Sequence, residues 1–112
     1  MGTDTDPIHR NDSVMAAGGG RVQRAAQVRH RMGLHARPAA DFVRLANTFT
    51  SEVHLKKGRR AVNSKSIMGI LMLAAGSGCR VVVEAQGPDA EAAVKCLSEF
   101  LLAGDEEASA RR

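Results

Sequence analysis

The segment Ser51-Glu52-Val53-His54-Leu55-Lys56 alternates polar and apolar residues, and after Lys57-Gly58-Arg59 the chain resumes as Arg60-Ala61-Val62-Asn63. Alternation with period two marks a half-buried strand. A turn this short, with a glycine inside it, brings the chain back antiparallel to itself as a hairpin. The pairing here is therefore antiparallel, and the helices on either side of the hairpin need a sheet face to cover.

Helical periodicity flanks the hairpin. Ala36 to Thr48 places Ala39, Phe42, Val43 and Ala46 on one face at i, i+3, i+4, i+7. Ser66 stands where an N-cap belongs and opens a short helix through Leu73, which Gly76 and Gly78 are expected to end. Arg80-Val81-Val82-Val83-Glu84-Ala85 is β-branched and reads as a central strand. Gly87-Pro88-Asp89 is a turn whose aspartate is expected to cap a last helix, with Ala90, Ala93, Val94, Leu97 and Leu101 along one face. A short strand over Ala25 to Arg31 is only weakly marked by its own pattern.

The order is then β-α-β-β-α-β-α. Short strands, a tight hairpin and helices long enough to cover one face predict an α+β fold, an antiparallel sheet with its helices on one side. Residues 1–24 are polar, carry Gly18-Gly19-Gly20 and lack sustained periodicity, so they read as a flexible extension in which Met15 is an alternative start. The folded domain is expected over residues 25–103, with a charged, flexible tail over 104–112.

Composition narrows the functional classes. With 112 residues, one modest domain is the most the chain can form. It has three Phe and no Trp or Tyr, so its core must be built from Val, Leu, Ile, Ala and Met. No apolar run approaches the roughly 20 residues that span a bilayer, and no secretory signal precedes the domain, so a cytoplasmic protein is expected. Cys79 and Cys96 are expected as free, largely buried thiols rather than a disulfide. Neither they nor the four scattered His show metal-ligand spacing. The net charge of +4 invites a nucleic-acid reading, but its distribution argues against one. Residues 32–60 hold six basic and two acidic groups, while residues 61–112 hold five basic and seven acidic ones. The excess surrounds the first helix and the Lys56–Arg60 turn, with no aromatics interleaved to stack on bases. Such a skirt suits an acidic protein partner or a phosphoryl group.

The chemistry is carried by Met32-Gly33-Leu34-His35-Ala36-Arg37-Pro38-Ala39-Ala40. His35 stands at the doorstep of the first helix, Arg37 follows, and Pro38 lies in the first turn, where a missing N–H has no intrahelical partner to lose. The remaining amides of that turn, the positive end of the helix dipole and Arg37 converge beside the ring. This is an anion site built around a nucleophilic imidazole. With an ordinary pKa near 6.5, such a ring offers a neutral nitrogen at neutral pH.

Gly33-Leu34-His35-Ala36-Arg37-Pro38-Ala39 resembles the active-site signature of HPr, the histidine-containing phosphocarrier family of the bacterial phosphotransferase system. Ser64-Lys65-Ser66-Ile67-Met68-Gly69-Ile70 is similar to the segment around that family's regulatory serine. The two runs lie at the family's interval, and the match extends from about Gln27 to Leu102. The resemblance implies an open-faced sandwich, a four-stranded antiparallel sheet covered on one face by three helices, with the histidine at its edge. Arg31 departs from the pattern, since the family often has a small or polar residue or a proline there.

The resemblance also implies roles. His35 would carry the phosphoryl group on Nδ1, and Arg37 would meet its oxygens with a forked guanidinium. Without the motif, Arg37 reads as a solvated helix residue. Ser66 reads either as a plain N-cap or as the target of an HPr kinase/phosphorylase. Ile67, Met68 and Leu71 read either as core or as a docking patch, and Ile70 as core; Met suits a surface that packs against several partners. His9, His30 and His54 read as bland surface residues. Enzyme I as donor, an EIIA-type domain as acceptor, no cofactor or metal, no nucleic acid, no membrane insertion and a monomeric carrier complete the expectation. The alternative is a regulatory binding module whose phosphorylation state switches partners without sugar transport.

Overall fold

The computed structural model describes residues 14–105. Its elements in order are β1 (Met15–Gly18), β2 (Arg21–Gln27), α1 (Ala36–Ala46), β3 (Glu52–Lys57), β4 (Arg60–Asn63), α2 (Ile67–Leu73), β5 (Arg80–Gln86) and α3 (Ala90–Ala103). The strands form one sheet in the order β1-β2-β5-β3-β4, with every neighbouring pair antiparallel. The helices cover one face and leave the other open, the α+β sandwich expected from the sequence.

The hairpin forms as its sequence dictates. Lys57 pairs with Arg60, so Gly58 and Arg59 make a two-residue loop. Gly58 takes φ +60° at the first loop position, the feature of a type II′ turn, whose twist matches that of the strands. Val53 and Leu55 of β3 and Val81, Val83 and Ala85 of β5 point under the helices and are buried. Beneath them lie Phe42 of α1, Ile70 and Leu73 of α2, and Ala93, Val94, Leu97, Phe100 and Leu101 of α3. Phe42 and Phe100 meet with ring centroids 6.1 Å apart. Truncating either to alanine removes about 3–5 kcal/mol from the folded state.

Several boundaries differ from the sequence reading. The strand read over Ala25 to Arg31 instead runs over Arg21–Gln27, paired with β5 from Arg21↔Gln86 to Gln27↔Arg80. A further strand, Met15–Gly18, pairs with it across Gly19 and Gly20. The sheet thus has five strands rather than four, and part of the segment read as a flexible extension is its edge. The signal was hidden by Arg24, a charged residue on the helix-facing side, whose guanidinium donates to Ser98 Oγ at 3.0 Å and lies 3.8 Å from Glu99. Expectations for residues 1–13, His9 among them, and for residues 106–112 lie outside the described residues.

Two helix ends also differ. α2 is closed by Ala74 in the left-handed conformation (φ 55°, ψ 47°), not by Gly76 or Gly78. Asp89 occupies the N-cap position of α3 but makes no cap bond. Its carboxylate instead accepts from Thr50 N (3.0 Å), Ser51 N (2.9 Å) and Ser51 Oγ (2.5 Å). These donors, the Ser51 hydroxyl foremost, hold the carboxyl at about 2, below its usual 3.8. Gly87 permits the approach: a Cβ there would stand 2.5 Å from Ser51 Oγ.

Candidate functional site

His35 is the N-cap residue of α1, with extended backbone (φ −82°, ψ −168°). Its carbonyl accepts the first helical bond, from Ala39 N at 2.9 Å, while its ring makes no cap bond. The imidazole is therefore left free and exposed at the positive end of the helix dipole. Pro38 is buried, and the amides of Ala36 and Arg37 precede the point where intrahelical acceptors begin. No acidic residue occupies the first turn. Asp41, the next carboxylate along α1, is paired with Arg44, so Arg37 is exposed and forms no ion pair among the described residues. The turn at His35 thus offers an anion two free amides and no competing carboxylate, with Arg37 two residues further on.

The loop before His35 is fastened from below. Gly33 N donates to His30 O at 2.9 Å, closing a tight turn, and Leu34 N donates to Ala75 O at 2.9 Å. Gly33 adopts φ +73°, and a Cβ on it would stand 2.8 Å from both Ala75 O and Gly76 Cα. Only glycine fits so close an approach in that conformation. Leu34 itself is buried. The histidine loop thus rides on the segment that leaves α2.

His30 corrects the sequence reading. It is not a surface residue but is 1 % exposed, with its ring 4.9 Å from Phe100. Burial pushes its pKa below 6.5; nearby Asp105 opposes that shift, His35 adds to it, and Asp41 opposes it. His54, on the open sheet face, is half-buried.

Ser66 is the N-cap of α2, its Oγ accepting from Gly69 N at 3.0 Å. At the opposite end, Lys57 Nζ reaches Ala74 O at 3.1 Å and Arg60 reaches Met72 O at 3.0 Å. The basic hairpin therefore caps the negative end of α2, and Lys56 reaches Glu84 at 3.4 Å. Those three charges serve the fold and Arg44 is paired with Asp41, which leaves Arg37 and Arg59 as the cations of residues 32–60 with neither an ion pair nor a side-chain hydrogen bond among the described residues. It is the end of α2 remote from Ser66 that touches the His35 loop. The seven residues between rise about 10 Å, so Ser66 and His35 are neighbours across one short helix and not in contact.

The same helix buries Ile70 and Leu73 and turns Ile67, Met68 and Leu71 outward, 40 %, 62 % and 38 % exposed. Met72 (64 %) and Met32 (75 %) extend this apolar face, and neither was singled out from the sequence. Met72 stands four residues after Met68, so helical spacing already places them side by side. Met32 precedes Gly33, which the fold brings against Ala75 and Gly76 just past α2. Cys79 and Cys96 are half-buried rather than buried and are not joined in a disulfide. Among the described residues no group of three or more His, Cys, Asp or Glu is placed to hold a metal ion, and no helix is long and apolar enough to cross a membrane.

An exposed histidine at a helix N-terminus, on the edge of an open-faced α+β sandwich, is the architecture of the histidine phosphocarriers. Residues 22–103 match the family model PTS-HPr, described as the PTS HPr component phosphorylation site, and the chain belongs to that family. It is 48 % identical over 80 residues to the HPr-like protein Crh of Bacillus subtilis, covering 71 % of this chain and 94 % of Crh. The crystal structure of phosphocarrier protein HPr from Bacillus anthracis superposes with a TM-score of 0.72 at 42 % identity, covering 74 % of this chain and 99 % of that one. The crystal structure of Bacillus subtilis Crh, a catabolite-repression protein, superposes with a TM-score of 0.61 at 46 % identity, over 70 % of this chain and 91 % of that one. That Crh is a dimer with a swapped domain, and it overturns the expectation of a monomer. Burial and charge patterns specify the contacts of one fold, and swapping preserves those contacts while exchanging the chain that makes them.

Proposed function

We propose that this chain is a phosphoryl relay whose acceptor is His35. Enzyme I, charged by phosphoenolpyruvate, gives up its phosphoryl group to the neutral Nδ1 of His35; a P–N bond forms as the donor's bond to phosphorus breaks, and the ring proton is lost to solvent. Reversal of that step onto an EIIA-type domain discharges the carrier. Phosphoryl transfer asks mainly for positioning and charge stabilisation. The Ala36 and Arg37 amides and the Arg37 guanidinium supply both. The reading is carried by one observation: an exposed imidazole at the N-terminus of α1 that makes no cap bond and has no acidic residue in its turn.

Phosphorylation of Ser66 is the proposed control. A dianion at the N-terminus of α2 is favourably placed against the helix dipole, so the fold is kept while negative charge is added beside the exposed Ile67, Met68 and Leu71. The 48 % identity to Crh supports a second reading, a regulatory module that binds partners according to its phosphorylation state. Retention of His35 favours the relay.

The test is incubation with enzyme I and phosphoenolpyruvate, comparing wild type with His35→Ala. An acid-labile phosphate that disappears with His35 supports the relay. No transfer from an enzyme I that charges another HPr would leave the regulatory reading standing, with Ser66 the residue to assay against the kinase.

A further inference from the structure

The turn that carries His35 rests on a histidine that relay chemistry leaves unused. His30 is 1 % exposed against Phe100 of α3, and neither of its ring nitrogens has a hydrogen-bond partner among the described residues. Its carbonyl accepts from Gly33 N, so one residue supplies both the ring that docks the turn and the oxygen that closes it. An imidazole with both nitrogens orphaned is an expensive filler for an apolar site, which Leu or Met would fill with no polar atom to desolvate. What it has that they lack is the capacity to take up a proton.

We infer that His30 is a positioning residue for His35: its neutral ring holds the His30–Gly33 turn against Phe100, and taking up a proton drives the ring out and releases the loop that presents His35. The functional consequence rests on His35 as the acceptor, whereas the docking is a property of the loop alone.

The charged groups around the ring set its behaviour. Asp105, just past α3, and Asp41 on α1 favour the cation, while His35 in the same loop disfavours it. Asp105 already accepts from Arg31 N at 2.8 Å and Asp41 is paired with Arg44, so neither carboxylate bonds the buried ring. Arg29 and Arg31, on either side of His30, are exposed. Burial prevails, and the docked ring titrates below 6.5. A released ring recovers its ordinary value of about 6.5, so the open loop binds more protons between the two values, and falling pH favours it there. The gain in the opening equilibrium is at most about tenfold per pH unit.

The experiment compares wild type with His30→Leu, which fills the site and does not titrate. Protection factors for the Gly33 and Leu34 amides, taken relative to intrinsic exchange at each pH, are measured from pH 7.5 to 5 alongside NMR titration of the His30 ring. The expected result is protection falling by up to about tenfold per unit below pH 6.5 in wild type and staying flat in the variant. Phosphoryl acceptance should fall only where the open loop becomes a major form, and at a higher pH in wild type than in His30→Leu. Parallel protection profiles in the two proteins, or a folded-state ring that titrates at or above 6.5, would overturn the inference. His30→Met replaces His30→Leu if that variant does not fold, and the wild-type ring titration needs no variant. Exchange and titration use no phosphoryl donor, so failure of the relay and failure of the docking are read separately.

Discussion

Replacing Ala74 with glycine should stabilise this protein, although it removes atoms. Ala74 ends α2 at φ 55° and ψ 47°, a conformation that presses Cβ toward the following carbonyl oxygen. That crowding costs an L-residue about 1–2 kcal/mol. Glycine escapes it but widens the unfolded ensemble, which returns roughly 0.5–1 kcal/mol. The Ala74 side chain is exposed, so little apolar burial is lost with the methyl. The net gain is about 0.5–1 kcal/mol, or roughly 2–6 °C in the midpoint of a domain this size. Urea unfolding is the assay, with the midpoint expected to rise at constant slope. The Leu34 amide still finds Ala75 O, so phosphoryl acceptance at His35 should not change. A midpoint that fell or stayed still would refute the claim that strain is stored at this helix end.

Gly33→Ala should act in the opposite direction, because φ +73° and a Cβ 2.8 Å from Ala75 O together cost about 2–3 kcal/mol once the Leu34 bond is lost; an unchanged urea midpoint would contradict this. Asp89 is held at about 2 against an ordinary 3.8, so its contribution is complete above pH 4 and is lost as pH falls toward 2. Asp89→Asn should therefore be less stable at neutral pH and flatten the acid limb of the stability profile over that window, and parallel profiles would remove the assignment. Arg37→Ala should leave the thermal midpoint within the change expected of a surface substitution, about 0.5 kcal/mol. Its transfer rate should fall roughly tenfold to a hundredfold, the worth of a charged hydrogen bond, and transfer at the wild-type rate would remove Arg37 from the site.

The sequence made legible whatever is written locally. The β3–β4 hairpin follows from alternation and one glycine, and the α1 and α3 faces follow from spacing, with Ala39, Phe42, Ala46, Ala93, Val94, Leu97 and Leu101 all buried. The N-cap at Ser66 forms as read, and His35 stands exposed at its helix. α1, expected to run to Thr48, ends at Ala46 because Thr48 Oγ1 and N both turn back to Leu45 O. What escaped were positions decided by distant chain. Asp89 looks like a cap until Thr50 and Ser51 arrive with three better-placed donors. His30 looks like a surface residue until Phe100, seventy positions on, covers it. Arg24 interrupts the pattern of β2 because its partner Ser98 lies on α3.

The core has an optical consequence. Phe42 and Phe100 lie inside it, Phe49 packs against it, and the chain has no Trp or Tyr. The protein is therefore almost dark in near-ultraviolet fluorescence, alone or in a mixture. Tryptophan emission from any complex comes from the partner, so a partner settling over Met68 and Met72 reports its own docking without a label on either protein.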